Sequence, residues 1–333
     1  MSKRILFHSY QLGERGTEVA MFKYAKYNQE ILGNESIIIS TNSRPMPSLG
    51  MFKKEFHVIG YNTIWKNDGK NDELRRTLEY VCDKENIDIL YAIKGGENDG
   101  IMPKNVKTAA HAVFRTDQPH GTVYAGICEY ICKKFNNNLP YVYHIIEPEA
   151  PHITADYREE LNIPSTALVL GRHGGKDTFS LEFVKQTIKN TIDLRSDLYY
   201  VFLNTNEFIQ HERVKFLPYT SSFEDKAKFV NTCDAMIHAR MDGEIFSVSI
   251  PEFSTKNKPI ITWKPDLIPA NYDIGHLVVL KDKGIYYKDG NDLSNILLNL
   301  SKSDIINNDW DVYKDIYSPA NVMKQFDAVF IGK

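Results

Sequence analysis

At 333 residues, 42% of them hydrophobic and 25% charged, the chain has the make-up of a soluble protein. It also exceeds the roughly 250–300 residues at which a single core stops growing, so two domains are expected. A net charge of −3 gives no global field for nucleic acid or an acidic membrane, and no apolar run approaches the ~20 residues of a membrane span. Short buried strands are read at residues 5–7, 36–39, 56–59, 87–91 and 109–114. The first is too short an apolar stretch for a signal peptide. Between the first two strands, Ala20, Met21, Tyr24 and Ala25 share one face of a helix closed by Ile31-Leu32-Gly33. Leu74, Leu78 and Val81 mark a second helix. Strands separated by helices predict right-handed βαβ units and a parallel sheet.

Residues 147–164, from Glu147-Pro-Glu to Asn162-Ile-Pro164, are rich in proline and acid and read as a linker. The pattern then restarts. Strands are expected at 167–171, 198–203, 235–238 and 259–262, with helices from about Thr178, Phe223 and Phe246. A last helix has Val322, Phe326, Val329 and Phe330 at helical spacing. Four cysteines, Cys82, Cys128, Cys132 and Cys233, lie in or beside apolar segments and are too few for a disulfide framework. They are read as reduced core residues of a soluble, cytoplasmic protein.

Two segments of the second half carry chemistry. In Leu168-Val-Leu-Gly171-Arg172-His-Gly174-Gly175-Lys176-Asp177 a strand ends in glycines, and a helix is expected to begin near Thr178. Such a turn presents backbone N–H groups and a helix N-terminus to an anion. Arg172 can grip two phosphate oxygens, and Lys176 adds a movable charge. Downstream, Arg240-Met-Asp-Gly-Glu244-Ile-Phe246-Ser247 runs on to Pro251-Glu252. If a helix spans 246–256, Glu244 stands at its mouth and Glu252 about two turns inside, so the pair can hydrogen-bond two hydroxyl-bearing parts of one ligand.

The order of these segments resembles that of retaining GT-B glycosyltransferases, the group that includes glycogen synthases and family-4-type sugar transferases. The likeness is concentrated in residues 165–262. It implies two Rossmann-like α/β domains facing a cleft. An acceptor-side domain would span 1–150 and a nucleotide-sugar domain 151–315, with a C-terminal helix over 316–333 crossing back to the first. It also implies a UDP- or GDP-sugar donor, no cofactor and no metal. The acceptor would be a carbohydrate or glycolipid, with at most peripheral contact with a membrane.

Residue by residue, the resemblance places Glu244 on the donor sugar and Glu252 on the ribose. Arg172, Lys176 and Gly171 fall at the donor diphosphate, with Phe246 and Ser247 where the family has Phe-Gly. In the first half, Gly13-Glu14-Arg15-Gly16 resembles the Gly-rich entry to the first helix, with Gly16 the matching position. His111 stands in a strand where the family often has a histidine reaching the transferred sugar, and His120 is a second choice. His8 and His238 are read as structural. Acceptor contacts are expected from loops at 41–50, 61–70 and 94–103.

Other classes fit less well. A non-catalytic nucleotide-sugar-binding protein on the same fold is the first alternative. In a phosphate-loop kinase or NTPase, Asp177 would stand where magnesium needs Ser or Thr. No Gly-x-Gly-x-x-Gly follows a strand to suggest a dinucleotide enzyme, and no group has metal-ligand spacing.

Overall fold

The computed structural model describes residues 2–13, 16–66, 69, 71–135, 138–148 and 150–332. Glu14 and Arg15 of the N-terminal glycine segment, Asn67, Asp68 and Lys70 of one acceptor loop, and Glu149 of the linker lie outside the described residues. The chain divides into two compact units, Met1–Ile146 with Asp315–Lys333, and Glu147–Lys314.

The first unit runs β1 (Arg4–Ser9), α1 (Gly16–Glu30), β2 (Glu35–Thr41), α2 (Leu49–Glu55), β3 (His57–Tyr61), α3 (Asp72–Lys84), β4 (Ile89–Lys94), β5 (Lys107–Ala112), β6 (Val123–Gly126) and α4 (Glu129–Lys134). Its six strands are parallel, in the order β3-β2-β1-β4-β5-β6. A parallel sheet covered on both faces needs uninterrupted apolar strands. That is why Ile37, Ile38 and Ile39 are all fully buried with no alternation. Two sequence-read strands are displaced. β4 starts at Ile89 and extends to Lys94, while β5 stops at Ala112 and leaves Phe114 62% exposed.

The second unit continues with β7 (Leu168–Arg172), α5 (Glu182–Thr191), β8 (Leu198–Leu203), β9 (Val214–Leu217), α6 (Phe223–Thr232), β10 (Ala235–His238), β11 (Gly243–Glu244) and α7 (Ser249–Ser254). Then follow β12 (Ile260–Trp263), β13 (Asp273–Ile274), α8 (Gly275–Leu280), β14 (Gly284–Tyr287), α9 (Gly290–Asn299) and α10 (Lys302–Ile306). Six strands again form a parallel sheet, β14-β12-β10-β7-β8-β9, beside a two-stranded ribbon of β11 and β13. In both sheets the chain winds outward from the first strand, then returns to its other side. The reversal falls between β1 and β4 in one unit and between β7 and β10 in the other. Ligands of open α/β sheets bind beyond the strand C-termini at such switch points.

Two helices differ from the sequence reading. The helix after β7 begins at Glu182, ten residues past Arg172, and not near Thr178. The helix expected over 246–256 is shortened to Ser249–Ser254. Pro251 is tolerated there because it occupies the third helical position, where an N–H has no intrahelical acceptor.

The tail helix α11 (Pro319–Phe326), continued by a wider turn over Asp327–Ile331, is a core element of the first unit. Its Phe326 ring lies 5.3 Å from Tyr24 and 5.1 Å from Tyr91, and Lys107 Nζ donates to the Gly332 carbonyl at 2.8 Å. Pro319 at the first helical position is pre-set for helix entry. Among the described residues, no helix is long and apolar enough to cross a membrane.

Candidate active site

The site is assembled within the second unit, at the ends of β7 and β10, neighbours in the sheet. β7 is buried throughout. Gly171 is required by packing: a Cβ there would overlap Cys233 Sγ. That packing by itself accounts for a glycine at this position.

Arg172 differs from expectation. The residue is only 3% exposed. Nη1 donates to the Asn204 carbonyl at 3.3 Å and Thr205 Oγ1 at 2.6 Å, and Nη2 donates to the Gly175 carbonyl at 2.8 Å and to Thr178 Oγ1. The fork thus braces the loop that follows it and does not face an incoming phosphate. Burial pulls its pKa down to about 10, with Glu244 opposing and Arg240 adding to that fall. It remains charged at neutral pH.

The braced loop is built without the helix terminus expected near Thr178. Asn204 Nδ2 donates to the Gly174 carbonyl at 2.8 Å, and Thr178 N–H donates to the Gly175 carbonyl at 3.0 Å. The loop carbonyls are thereby turned inward. Among the described residues, the amides of Gly174, Gly175 and Lys176 meet no acceptor, and the exposed Lys176 ammonium has no partner. Consecutive unpaired amides beside a cation are an anion-binding arrangement.

Glu244 is held in β11. Gly243, at φ +64, allows the backbone to pass against Asp273, and the ribbon pairs Glu244 with Ile274. Arg240 Nη1 donates to Glu244 Oε2 at 2.9 Å, and His238 Nε2 lies 3.5 Å from Oε1. Burial would raise the Glu244 carboxyl, but His238 and Arg240 more than offset it and hold the pKa below its usual value. His276, its ring 5.1 Å from that of His238, is driven down to about 3 by burial and by His238, so it is neutral.

Glu252, in the first turn of α7, has its Oε2 2.5 Å from His173 Nε2, an approach without aligned hydrogen-bond geometry. The His173 ring is stacked 6.1 Å from Phe253. Ser247 is buried, and its hydroxyl accepts from Ile250 N–H at 3.4 Å, which gives the serine a local role at the start of α7. Phe246 is half-buried beside it.

The remaining candidates lie in the first unit. Gly16 is exposed at the start of α1. His111 is fully buried, with Nδ1 2.7 Å from Tyr91 Oη and Nε2 2.9 Å from the Val142 carbonyl. Phe330 packs 5.1 Å from its ring. With both nitrogens engaged and no exposed surface, His111 is a core histidine, and its reading as a catalytic residue is corrected. His120 Nδ1 bonds the Gln118 carbonyl at 2.8 Å, while Nε2 is buried without a partner.

Sequence reasoning missed His173, His238, Arg240 and His276 as parts of the site. The signal was present for two of them. His238 and Arg240 are two apart at the end of a strand-like run, so they project to the same side.

No protein-family model matches the chain, and no curated protein matches it by sequence. Solved structures do. A glycosyltransferase from Rickettsia africae aligns over 98% of each chain with a TM-score of 0.69 at 13% identity. WaaG, a glycosyltransferase of lipopolysaccharide biosynthesis, aligns over 98% of this chain and 100% of its own, with a TM-score of 0.63 at 13% identity. A Listeria monocytogenes protein assigned as a UDP-N-acetylglucosamine 2-epimerase aligns over 98% and 96% with a TM-score of 0.60 at 11% identity. The two parallel six-stranded α/β units are those of the GT-B fold. At these identities the likeness defines the fold, and one fold serves more than one chemistry. The chemistry must come from the residues.

Proposed function

We propose that the protein is a glycosyltransferase that moves a sugar from a UDP- or GDP-sugar to a hydroxyl of a carbohydrate or glycolipid, with retention at the anomeric carbon. The observation that carries this reading is a juxtaposition at one switch point. The unpaired amides of 174–176 and Lys176 follow β7, and the carboxylates of Glu244 and Glu252 follow β10, with Arg172 and His173 joining the two groups.

In this reading the donor diphosphate lies on the Gly174–Lys176 amides and Lys176. As the bond from the anomeric carbon to phosphate oxygen breaks, negative charge grows on that oxygen, where fixed N–H donors and a cation stabilise it most. Arg172 is a positioning residue that holds the loop in shape. Glu244, kept ionised by Arg240 and His238, faces the sugar as it becomes cation-like. Glu252 and His173 take the ribose hydroxyls. The acceptor oxygen bonds the anomeric carbon on the face the phosphate leaves, and its proton passes to the departing phosphate. No protein base is needed, so the burial of His111 is no obstacle, and the protein's own cations take the place of a metal.

The test pairs calorimetry with turnover. UDP and GDP are titrated into wild-type protein, Glu252→Gln and Glu244→Gln, and nucleotide release from a panel of UDP- and GDP-sugars is followed with EDTA present. Glu252→Gln should weaken nucleotide binding about ten- to a hundredfold, the effect of losing a hydrogen bond to a charged group. Glu244→Gln should lower kcat by a similar factor while nucleotide affinity stays within about twofold. Wild-type protein that binds neither nucleotide would refute the reading.

A further inference from the structure

The first unit holds a pocket that the donor site leaves unused. It lies beyond the C-terminal ends of β1, β2 and β3, with a volume of about 140 Å³, and Tyr10, Thr41, Arg44, Tyr61, Ile64 and Trp65 among its lining residues.

Its aromatic wall is fixed from behind. Tyr10 Oη donates to the buried carboxylate of Asp99, which is ion-paired with the equally buried Lys94. Tyr61 Oη lies 2.9 Å from His8 Nε2, and burial lowers the pKa of that histidine to about 4, so it is neutral. Both phenol oxygens are therefore committed to the protein, leaving the rings as apolar surface. The Trp65 ring is 5.2 Å from that of Tyr10 and completes the wall.

Two polar groups remain unspent. Trp65 Nε1 is buried with no hydrogen-bond partner among the described residues. Arg44 is exposed and makes no hydrogen bond or ion pair among the described residues, yet its charge acts on the phenols of both Tyr10 and Tyr61. A lone guanidinium is suited to a carboxylate or a phosphate, which it binds through two parallel N–H donors. A flat aromatic wall suits the C–H face of a sugar ring.

We infer that this pocket binds a sugar bearing an acidic group, carboxylate or phosphate, as the acceptor of the transfer. The inference rests on the glycosyltransferase reading for the word acceptor only. The pocket's selectivity can be tested without turnover.

Glucose, glucuronate, glucose 6-phosphate and inorganic phosphate are titrated into the full chain by calorimetry, with UDP and GDP in parallel. At least one acidic sugar should bind about tenfold or more tightly than glucose, and more tightly than inorganic phosphate. Preference between the two names the acid. Arg44→Gln should reduce that sugar to the level of glucose and leave nucleotide affinity unchanged. Trp65→Leu, which removes the flat ring from the wall, should weaken glucose and the acidic sugar alike severalfold. Four results overturn the inference: no binding of either acidic sugar, equal binding of glucose, inorganic phosphate as tight as glucose 6-phosphate, or a preference that survives Arg44→Gln. Nucleotide binding alongside any of these leaves the transferase reading standing. Arg44-dependent binding of an acidic sugar without nucleotide binding supports the pocket and removes the transferase.

Discussion

The burial of His111 has a measurable cost in acid. His8 and His111 are held near pKa 4 by burial, and His144 is lowered to about 3 by burial together with His111 and Lys23. All three are in the first unit. Each native value lies below the unfolded value of about 6.5, so the unfolded chain binds the extra protons. The stability these groups confer is complete above about pH 6.5 and falls as the pH drops toward 4. A one-proton difference is worth roughly 1.4 kcal/mol per pH unit, so three histidines remove about 3–4 kcal/mol between pH 6 and pH 5. That is a large part of the ~5–15 kcal/mol that holds a domain together. Urea unfolding at the two pH values, with hydrogen exchange of β1, β4 and β5 to locate the loss, measures it. His111→Gln keeps a donor and an acceptor for Tyr91 and Val142 but does not titrate. Its pH dependence should be shallower by about one proton, with UDP and GDP affinity unchanged. Equal stability at pH 6 and pH 5, or the same slope in the variant, refutes the argument. A variant with wild-type folding and no turnover restores His111 to the catalytic site.

Two further outcomes follow from the packing and charge of the second unit. Gly171→Ala drives a methyl into Cys233 and should destabilise the unit by about 1–3 kcal/mol, measured by thermal unfolding, and Cys233→Ala in the same chain should recover part of the loss. Arg240→Gln removes one of the charges holding the Glu244 carboxyl down, so that carboxyl should titrate at a higher pH. The acid limb of the pH–rate profile should move upward while the alkaline limb stays in place.

Much of the fold was legible because buried parallel strands advertise themselves. Ser36-Ile-Ile-Ile39, Leu198–Leu203 and Ala235–His238 are continuous apolar runs, and each is a strand where it was read. The edge strands β9 and β14 were not read. Val214–Leu217 and Gly284–Tyr287 are short and only half-buried, so Lys215 and Tyr286 can face outward and the apolar run is interrupted. Helix starts after β7 and after Glu244 were placed too early for a common reason. The expected starts at Thr178 and Phe246 fall in segments 173–178 and 246–248, which form loops whose hydrogen bonds run to Arg172, Asn204 and Ile250. The chemistry of Arg172 was recognised from its residue type, but the direction of its donors depends on Thr205 and Asn204, more than thirty residues downstream. No local pattern contains that.

The charges around the carboxylates bear on which part of a ligand the second unit is built to hold. Arg172, Lys176 and Arg240 are three fixed cations, against Glu244 and Glu252 as two anions. Arg240 is already matched to Glu244 at 2.9 Å. His276 is neutral and adds nothing at neutral pH. Arg172 and Lys176 therefore leave positive charge in surplus on the β7 side, with the unpaired amides, while Glu252 leaves the β10 side negative beyond the Arg240–Glu244 pair. An anion entering on the β7 side completes the balance, and a neutral hydroxylated ring entering by Glu244 leaves it undisturbed. On the proposed transferase reading, the donor's diphosphate takes the β7 side and its uncharged sugar the side of the carboxylates, where Arg240 and His173 already hold Glu244 and Glu252.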